Sequence, residues 1–251
     1  MAGKIALVTG ASRGLGKDSA LQLAKKGFDL ILTYQTKKEA ADEVVKEIET
    51  LGQKAVALPL DISTTKGFDQ FVTEVKNVLD THFASAKLDA LVNNAGIGIN
   101  ESFEATTEET LDAMTNIHFK GPYFLTQKLL PLLNDGSSVV NTSSGLARFS
   151  MPGYSAYGAM KAAIDSLSRY QALEFGTRKI RVNSIAPGAI ETDFGGGVVR
   201  DISDLNQHLA SETALGRVGL PDDIGSVVAF LCSDDSKWIN GQRVEVSGGF
   251  K

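Results

Sequence analysis

Ser144, Tyr157 and Lys161 are the residues of this chain whose types and spacing suggest a reaction. Tyr157 and Lys161 stand four apart in an Ala-rich segment (Ala156, Ala159, Ala162, Ala163) that reads as a helix, so they share one face of it. Ser144 comes thirteen residues before Tyr157, just after the apolar pair Val139-Val140. In an open α/β sheet, strand ends and helix starts meet at one edge, where ligands bind. A hydroxyl, a phenol and an ammonium are therefore expected to converge there. That set suits carbonyl reduction. A ketone accepting hydride needs a proton on its oxygen. A phenol of pKa ~10 is a slow proton source at neutral pH, and a nearby ammonium favours the phenolate and is expected to lower that value. The Ser144 hydroxyl can hold the substrate oxygen by a hydrogen bond. Alone, a Tyr and a Lys four apart are equally at home as a surface pair. The upstream serines and the first strand–helix turn favour chemistry.

The elements that must position these groups alternate along the chain. Strand Ile5–Val8 runs into Thr9-Gly10-Ala11-Ser12-Arg13-Gly14-Leu15-Gly16, and a helix continues to Lys26. Glycines before a helix N-terminus let backbone approach a pyrophosphate, and the helix end favours negative charge. The spacing differs from G-x-G-x-x-G, and close packing of helix on sheet is the structural alternative. After the second strand, Leu30–Thr33, comes Tyr34-Gln35-Thr36-Lys37-Lys38, where an NAD enzyme would place a ribose-binding acid. No acid is there. Arg13 and the Lys37-Lys38 pair are instead placed to meet a 2′-phosphate, with Lys38 better read as a solvated helix start.

A helix at 38–51 and a strand at 55–60 lead to Asp61-Ile62. Asp61 is expected to cap the next helix or to accept from an adenine amine. Further on come a helix at 68–84, a strand at 88–92, Asn93-Asn94-Ala95-Gly96, and one long helical pattern from Glu108 to Leu133 with Pro122 and Pro131 as its kink and end. A sixth strand, Ile180–Ile185, precedes Pro187-Gly188. The Gly-rich, weakly helical segment 193–216 is expected to form a lid. A helix from Pro221 to Cys232 and a strand Gln242–Val246 close the pattern. The alternation predicts a single doubly wound parallel sheet with right-handed crossovers.

With 251 residues, 43 % of them hydrophobic, the chain has material for one domain. A net charge of −5 and scattered basic residues argue against a nucleic-acid surface. The single Cys232 excludes an intrachain disulfide and fits a reducing compartment. The first strand begins at once, so no signal peptide is visible, and no apolar run approaches the ~20 residues of a membrane span. A cytoplasmic protein without metal is expected.

Thr9-Gly10-x-x-x-Gly14-x-Gly16, Asp61, Asn93-Asn94-Ala95-Gly96, Ser144, Tyr157-x-x-x-Lys161 and Pro187-Gly188 with Thr192 occur in this order over essentially the whole chain. In that order and spacing they resemble the short-chain dehydrogenase/reductase family. The resemblance implies a seven-stranded Rossmann-like fold over residues 1–251 and a nicotinamide cofactor. That cofactor is expected against Gly10, Ser12, Arg13, Gly14, Leu15, Gly16, Tyr34, Asp61, Ile62, Asn93, Ala95, Gly96, Pro187, Gly188, Ile190 and Thr192, together with Tyr157 and Lys161. It implies Tyr157 as acid/base, Lys161 on the nicotinamide ribose, Ser144 on the substrate carbonyl, and a homotetramer. The chain departs from the family at one position. Counting back from Lys120-Gly121-Pro122-Tyr123, the family's active-site Asn falls at His118. An imidazole there can keep a proton relay or sit as a neutral core residue.

The expected activity is NADPH-dependent ketone reduction, with NAD(H) as the alternative cofactor. The alternatives are a sugar or polyol dehydrogenase and a 3-oxoacyl-(acyl-carrier-protein) reductase. A cofactor sensor without chemistry would be expected to lose Ser144, Tyr157 or Lys161, and all three are present. Phe149, Met151, Tyr154 and Phe194 suggest an apolar or aromatic ketone.

Overall fold

A computed structural model of the chain describes residues 3–85 and 87–250. Seven parallel strands form one sheet: β1 (Lys4–Val8), β2 (Phe28–Tyr34), β3 (Ala55–Pro59), β4 (Leu88–Asn93), β5 (Leu133–Thr142), β6 (Arg181–Pro187) and β7 (Arg243–Val246). Their order is β3-β2-β1-β4-β5-β6-β7. The direction of winding reverses between β1 and β4, which opens a crevice at their C-terminal ends.

The helices come in the expected alternation: α1 (Gly14–Lys25), α2 (Lys38–Thr50), α3 (Phe68–Thr81), α4 (Glu108–Thr115), α5 (Gly121–Leu129), α6 (Ser155–Glu174), α7 (Val198–Asp201), α8 (Ser203–Ser211) and α9 (Pro221–Cys232). Side chains alternate across a strand, and β1 shows what this does. Ala6 and Val8 pack with Leu23 of α1, Val44 and Ile48 of α2 and Ile224 and Val228 of α9. Ile5 and Leu7 pack on the other face with Phe71 and Val75 of α3 and Leu125 and Leu129 of α5. Both faces are covered, which is why the strands read as unbroken apolar runs.

Two elements differ from expectation. The pattern at 108–133 is not one helix. It divides into α4, a five-residue π-helical segment Asn116–Lys120, and α5. Pro122 has no N–H to offer the His118 carbonyl. The backbone widens instead, and the Gly121 N–H reaches back five residues to the Asn116 carbonyl. Strand β5 starts well before Val139, because Leu133 pairs with Leu88 and the register then shifts before Ala90 meets Ser138. Gly136, at φ +82°, lies in that irregular stretch, whose polar residues hid the strand.

Candidate active site

The crevice is a cleft of about 430 Å³ along the C-terminal edge of β1, β4, β5 and β6. Its floor at one end is the turn after β1. Gly10 and Gly14 have φ values of +64° and +55°, which side-chain-bearing residues rarely adopt. A Cβ on Gly16 would lie 2.2 Å from the Gly10 carbonyl oxygen. Thr9 holds the turn to the strand beside it, its Oγ1 accepting from the amides of Asn94 (2.9 Å) and Ala95 (3.0 Å). The Asn94 side chain donates to the Thr9 and Gly10 carbonyls. This stripped-down backbone at a helix N-terminus fits the pyrophosphate of a dinucleotide.

All the expected cofactor residues but one line this cleft: Gly10, Ser12, Arg13, Gly14, Leu15, Gly16, Tyr34, Asp61, Ile62, Ala95, Gly96, Pro187, Gly188, Ile190 and Thr192, with Tyr157 and Lys161. Asn93 lies outside it. Its amide is buried and donates to Thr126 Oγ1 (2.9 Å) and Asn141 Oδ1 (2.8 Å), tying β4 to α5 and β5. Asp61 makes a local turn, its Oδ1 accepting from the Ser63 amide (2.9 Å) and from Gln35 (3.2 Å). Lys38 pairs with Asp42 at 2.6 Å, while Lys37 lines the cleft. Arg13 reaches Asp193 of the segment after β6 at 3.2 Å.

Ser144, Tyr157, Lys161 and His118 meet at the other end of the cleft. Ser144 comes just after β5, and its Oγ accepts from the Leu146 amide (3.2 Å) as a short turn begins. Tyr157 and Lys161 sit in the first turns of α6, both buried. Lys161 Nζ donates to the Thr142 carbonyl at 2.7 Å and lies 5.4 Å from the Tyr157 ring centre. Burial pulls the Lys161 pKa down to about 7, against the attraction of Asp165 one turn along. The Tyr157 pKa is not lowered by Lys161, contrary to the expectation from their spacing. Burial raises the phenol above its ordinary value, Ser144 opposes that rise, and Tyr154 adds to it. Desolvation dominates, and the tyrosine is a neutral phenol.

His118 lies in the π-helical segment, 1 % exposed. Its Nε2–H donates to the Ile97 carbonyl at 2.8 Å, and its ring meets that of Tyr157 edge-on at 5.1 Å. Burial first, then Lys161, holds its pKa down to about 2, so it stays neutral at any working pH. Gly96 leaves it room, since a Cβ there would sit 2.7 Å from the imidazole Cε1.

The remaining wall is apolar. Phe194 lies 5.5 Å from the Tyr157 ring and against Gly98, Tyr154 is 6.4 Å from Tyr157, and Phe149 packs at a tilt against Phe250 at 5.0 Å. Leu205 and Leu209 of α8 and Val198 of α7 complete it. Sequence reasoning did not bring Leu205, Leu209 and Phe250 to the site. Their place depends on how the 193–216 segment and the residues after β7 fold back, for which no local pattern speaks. Gly195, Gly196 and Gly197 all have positive φ and turn that segment over the cleft.

Residues 10–251 match the family described as enoyl-(acyl carrier protein) reductase. The hydroxynaphthalene reductase-like protein Arp2 of Metarhizium brunneum is 38 % identical over 260 residues, covering 99 % of this chain and 95 % of the relative. Tetrahydroxynaphthalene reductase PfmaG of Pestalotiopsis fici is 34 % identical, covering 99 % and 91 %. Among solved structures, the angucycline C-6 ketoreductase LanV with bound NADP superposes with a TM-score of 0.93 at 35 % identity, covering 98 % of this chain and 95 % of that one. The fold, the glycine turn, the Ser–Tyr–Lys arrangement and these likenesses agree: the chain belongs to the short-chain dehydrogenase/reductase family.

Proposed function

We propose that the protein is an NADPH-dependent ketoreductase acting on a planar aromatic or polycyclic ketone. The observation that carries this is a buried, neutral Tyr157 phenol beside Ser144 and Lys161, at the apolar end of a dinucleotide-sized cleft. Relatives named as hydroxynaphthalene and angucycline ketoreductases support the substrate class, and NADP bound in LanV supports the cofactor. The aromatic and aliphatic wall offers few partners for the hydroxyls of a sugar, which disfavours a polyol dehydrogenase.

The reduced nicotinamide supplies the hydride when bound. The glycine turn and the α1 N-terminus would hold the pyrophosphate, and Arg13 and Lys37 would hold the 2′-phosphate. Asp61 and Ile62 would flank the adenine. Ser144 donates a hydrogen bond to the ketone oxygen and fixes its approach. Tyr157 gives that oxygen its proton. The phenolate left behind is stabilised by Lys161 as an ammonium, so the attraction between the two matters after proton transfer rather than before it. His118 holds the underside of Tyr157 as a neutral ring, its Nδ1 accepting within the proton relay rather than titrating. Segment 193–216 closes over the substrate, and Phe194 stacks on it. The enzyme works in the cytoplasm as a homotetramer.

The test is NADPH consumption with a panel of hydroxylated polycyclic ketones, β-keto esters, simple aliphatic ketones and oxidised sugars. The polycyclic ketones are expected to be reduced fastest. Preference for the sugars, or no consumption with any ketone, would overturn the reading.

A further inference from the structure

The last strand reaches the active site through one side chain. Arg243 on β7 donates from Nε to Asp165 Oδ2 at 2.8 Å and from Nη2 to the Ser144 backbone carbonyl at 2.9 Å. Asp165 lies on α6, one turn past Lys161, and is 8 % exposed. Its other oxygen accepts from Ser184 Oγ of β6 at 2.8 Å. Glu245 also pairs with Arg243, and Arg148 donates to Glu245 at 3.1 Å. One planar guanidinium thus spans the helix that carries Tyr157 and Lys161 and the loop that carries Ser144. Its fork suits two acceptors held at a fixed separation, which a lysine cannot reproduce.

We propose that Arg243, acting through Asp165 and the Ser144 carbonyl, is a positioning residue that sets the placement of the Ser144 hydroxyl against Tyr157 and Lys161. Other contacts fix each part locally, as when Lys161 holds the Thr142 carbonyl and Ser143 Oγ donates to the Lys161 carbonyl. Those bonds end at residue 143. Among the described residues, only the Arg243 bridge ties the backbone of Ser144 itself to α6. A small displacement of a group that holds the substrate oxygen costs rate far more than affinity. The same bridge modulates Lys161. The groups facing its ammonium are Tyr157 and Asp165 on α6, His118 from the π-helical segment and the Thr142 carbonyl of β5. Asp165 favours the charged lysine, and Arg243 partly neutralises Asp165.

This inference rests on the ketoreductase reading, so turnover of the unaltered protein is established first, and its absence would count against that reading alone. Arg243→Met is then expected to lower kcat by up to about 10²-fold with little change in ketone KM or NADPH affinity. Arg243→Lys, which keeps the cation but not the fork, is expected to fall between. With Lys161 pulled down to about 7, the wild-type pH–rate profile is expected to inflect there, and that inflection should move in opposite directions in two variants. It should move to higher pH in Arg243→Met, where the Asp165 charge is unopposed, and to lower pH in Asp165→Asn. A structural role alone would move neither. Should Arg243→Met fold poorly, the double variant Asp165→Asn with Arg243→Met removes both charges. It is expected to recover melting temperature but not kcat, because the Ser144 carbonyl still lacks its donor. Wild-type kcat in the double variant, or inflections that stay in place in both single variants, would overturn the proposal.

Discussion

At Tyr157 a dry surrounding opposes the phenolate, and the Ser144 hydrogen bond works against that opposition. The dry surrounding wins, and the phenol keeps its proton until a substrate oxygen asks for it. Tyr157→Phe should keep fold and NADPH affinity while kcat falls by roughly 10²–10⁴-fold, as expected when a general acid is removed. Near-normal turnover would remove Tyr157 from the reaction. At His118 burial reverses the sense of the pH argument. Its folded pKa, held down to about 2, lies below the ordinary 6.5 of the unfolded chain. Only the unfolded chain takes up this proton below pH 6.5. The stability tied to His118 is therefore intact above 6.5 and is lost as pH falls toward 2, by about 1.4 kcal/mol per pH unit. Denaturant titrations of wild type and His118→Asn across pH 4–7 should show the steeper acid slope in the wild type. The inflection expected near 7 from Lys161 should survive in His118→Asn. Residue types and spacing were enough to single out Ser144, Tyr157, Lys161 and the odd histidine as candidates, and all four line one cleft. They could not give protonation states, which depend on what folds over each group.

At the level of elements, apolar runs marked most strands, because both faces of the sheet are covered, and the 3.6-residue period marked the amphipathic helices, while the polar start of β5 and the division of 108–133 were missed. The π-helical segment was hidden, since widening a helix by one residue leaves its apolar pattern nearly unchanged. Pro122 signalled an interruption, and the Gly121–Asn116 bond shows its form. The result turns His118 inward beneath Tyr157. The turn after β1 and the start of α2 carry a second prediction. Arg13 and Lys37 line the cleft with no acid at Tyr34 to receive a free ribose hydroxyl. Arg13→Ala should raise the KM for NADPH more than for NADH, because only NADPH bears the 2′-phosphate. The Arg13–Asp193 pair is exposed and adds little stability, so the loss should appear in cofactor discrimination rather than in melting temperature. Equal effects on both cofactors would assign the 2′-phosphate to other residues.

Across the whole molecule, large apolar side chains remain exposed on the outer faces of two helices: Tyr123 and Phe124 on α5, and Tyr170 and Leu173 on α6, the last at 78 %. Trp238, after α9, is exposed at 96 %. Solvated helix faces rarely carry such a group together, and a second copy of the chain is the expected cover. Light scattering should give four times the chain mass. A monomer mass would leave those side chains without an explanation in assembly. The alternation of strands and helices made the topology legible, including the reversal that opens the cleft. It could not show which outer faces stay apolar, because helical periodicity does not separate a face turned to the sheet from one turned to a neighbour.

Lys161, poised at about 7, makes occupancy of the cleft a titration. Near neutral pH the free protein holds this side chain as a mixture of amine and ammonium. A polyanionic dinucleotide seated in the cleft favours the ammonium. Ligand capture should therefore draw protons from the buffer, approaching about half a proton per site at pH 7 if the lysine becomes fully charged. Calorimetry of NADPH binding in two buffers of unequal ionisation enthalpy should return unequal heats, and the apparent affinity should weaken as pH rises above 7. Equal heats would mean that the lysine keeps its free-state charge throughout.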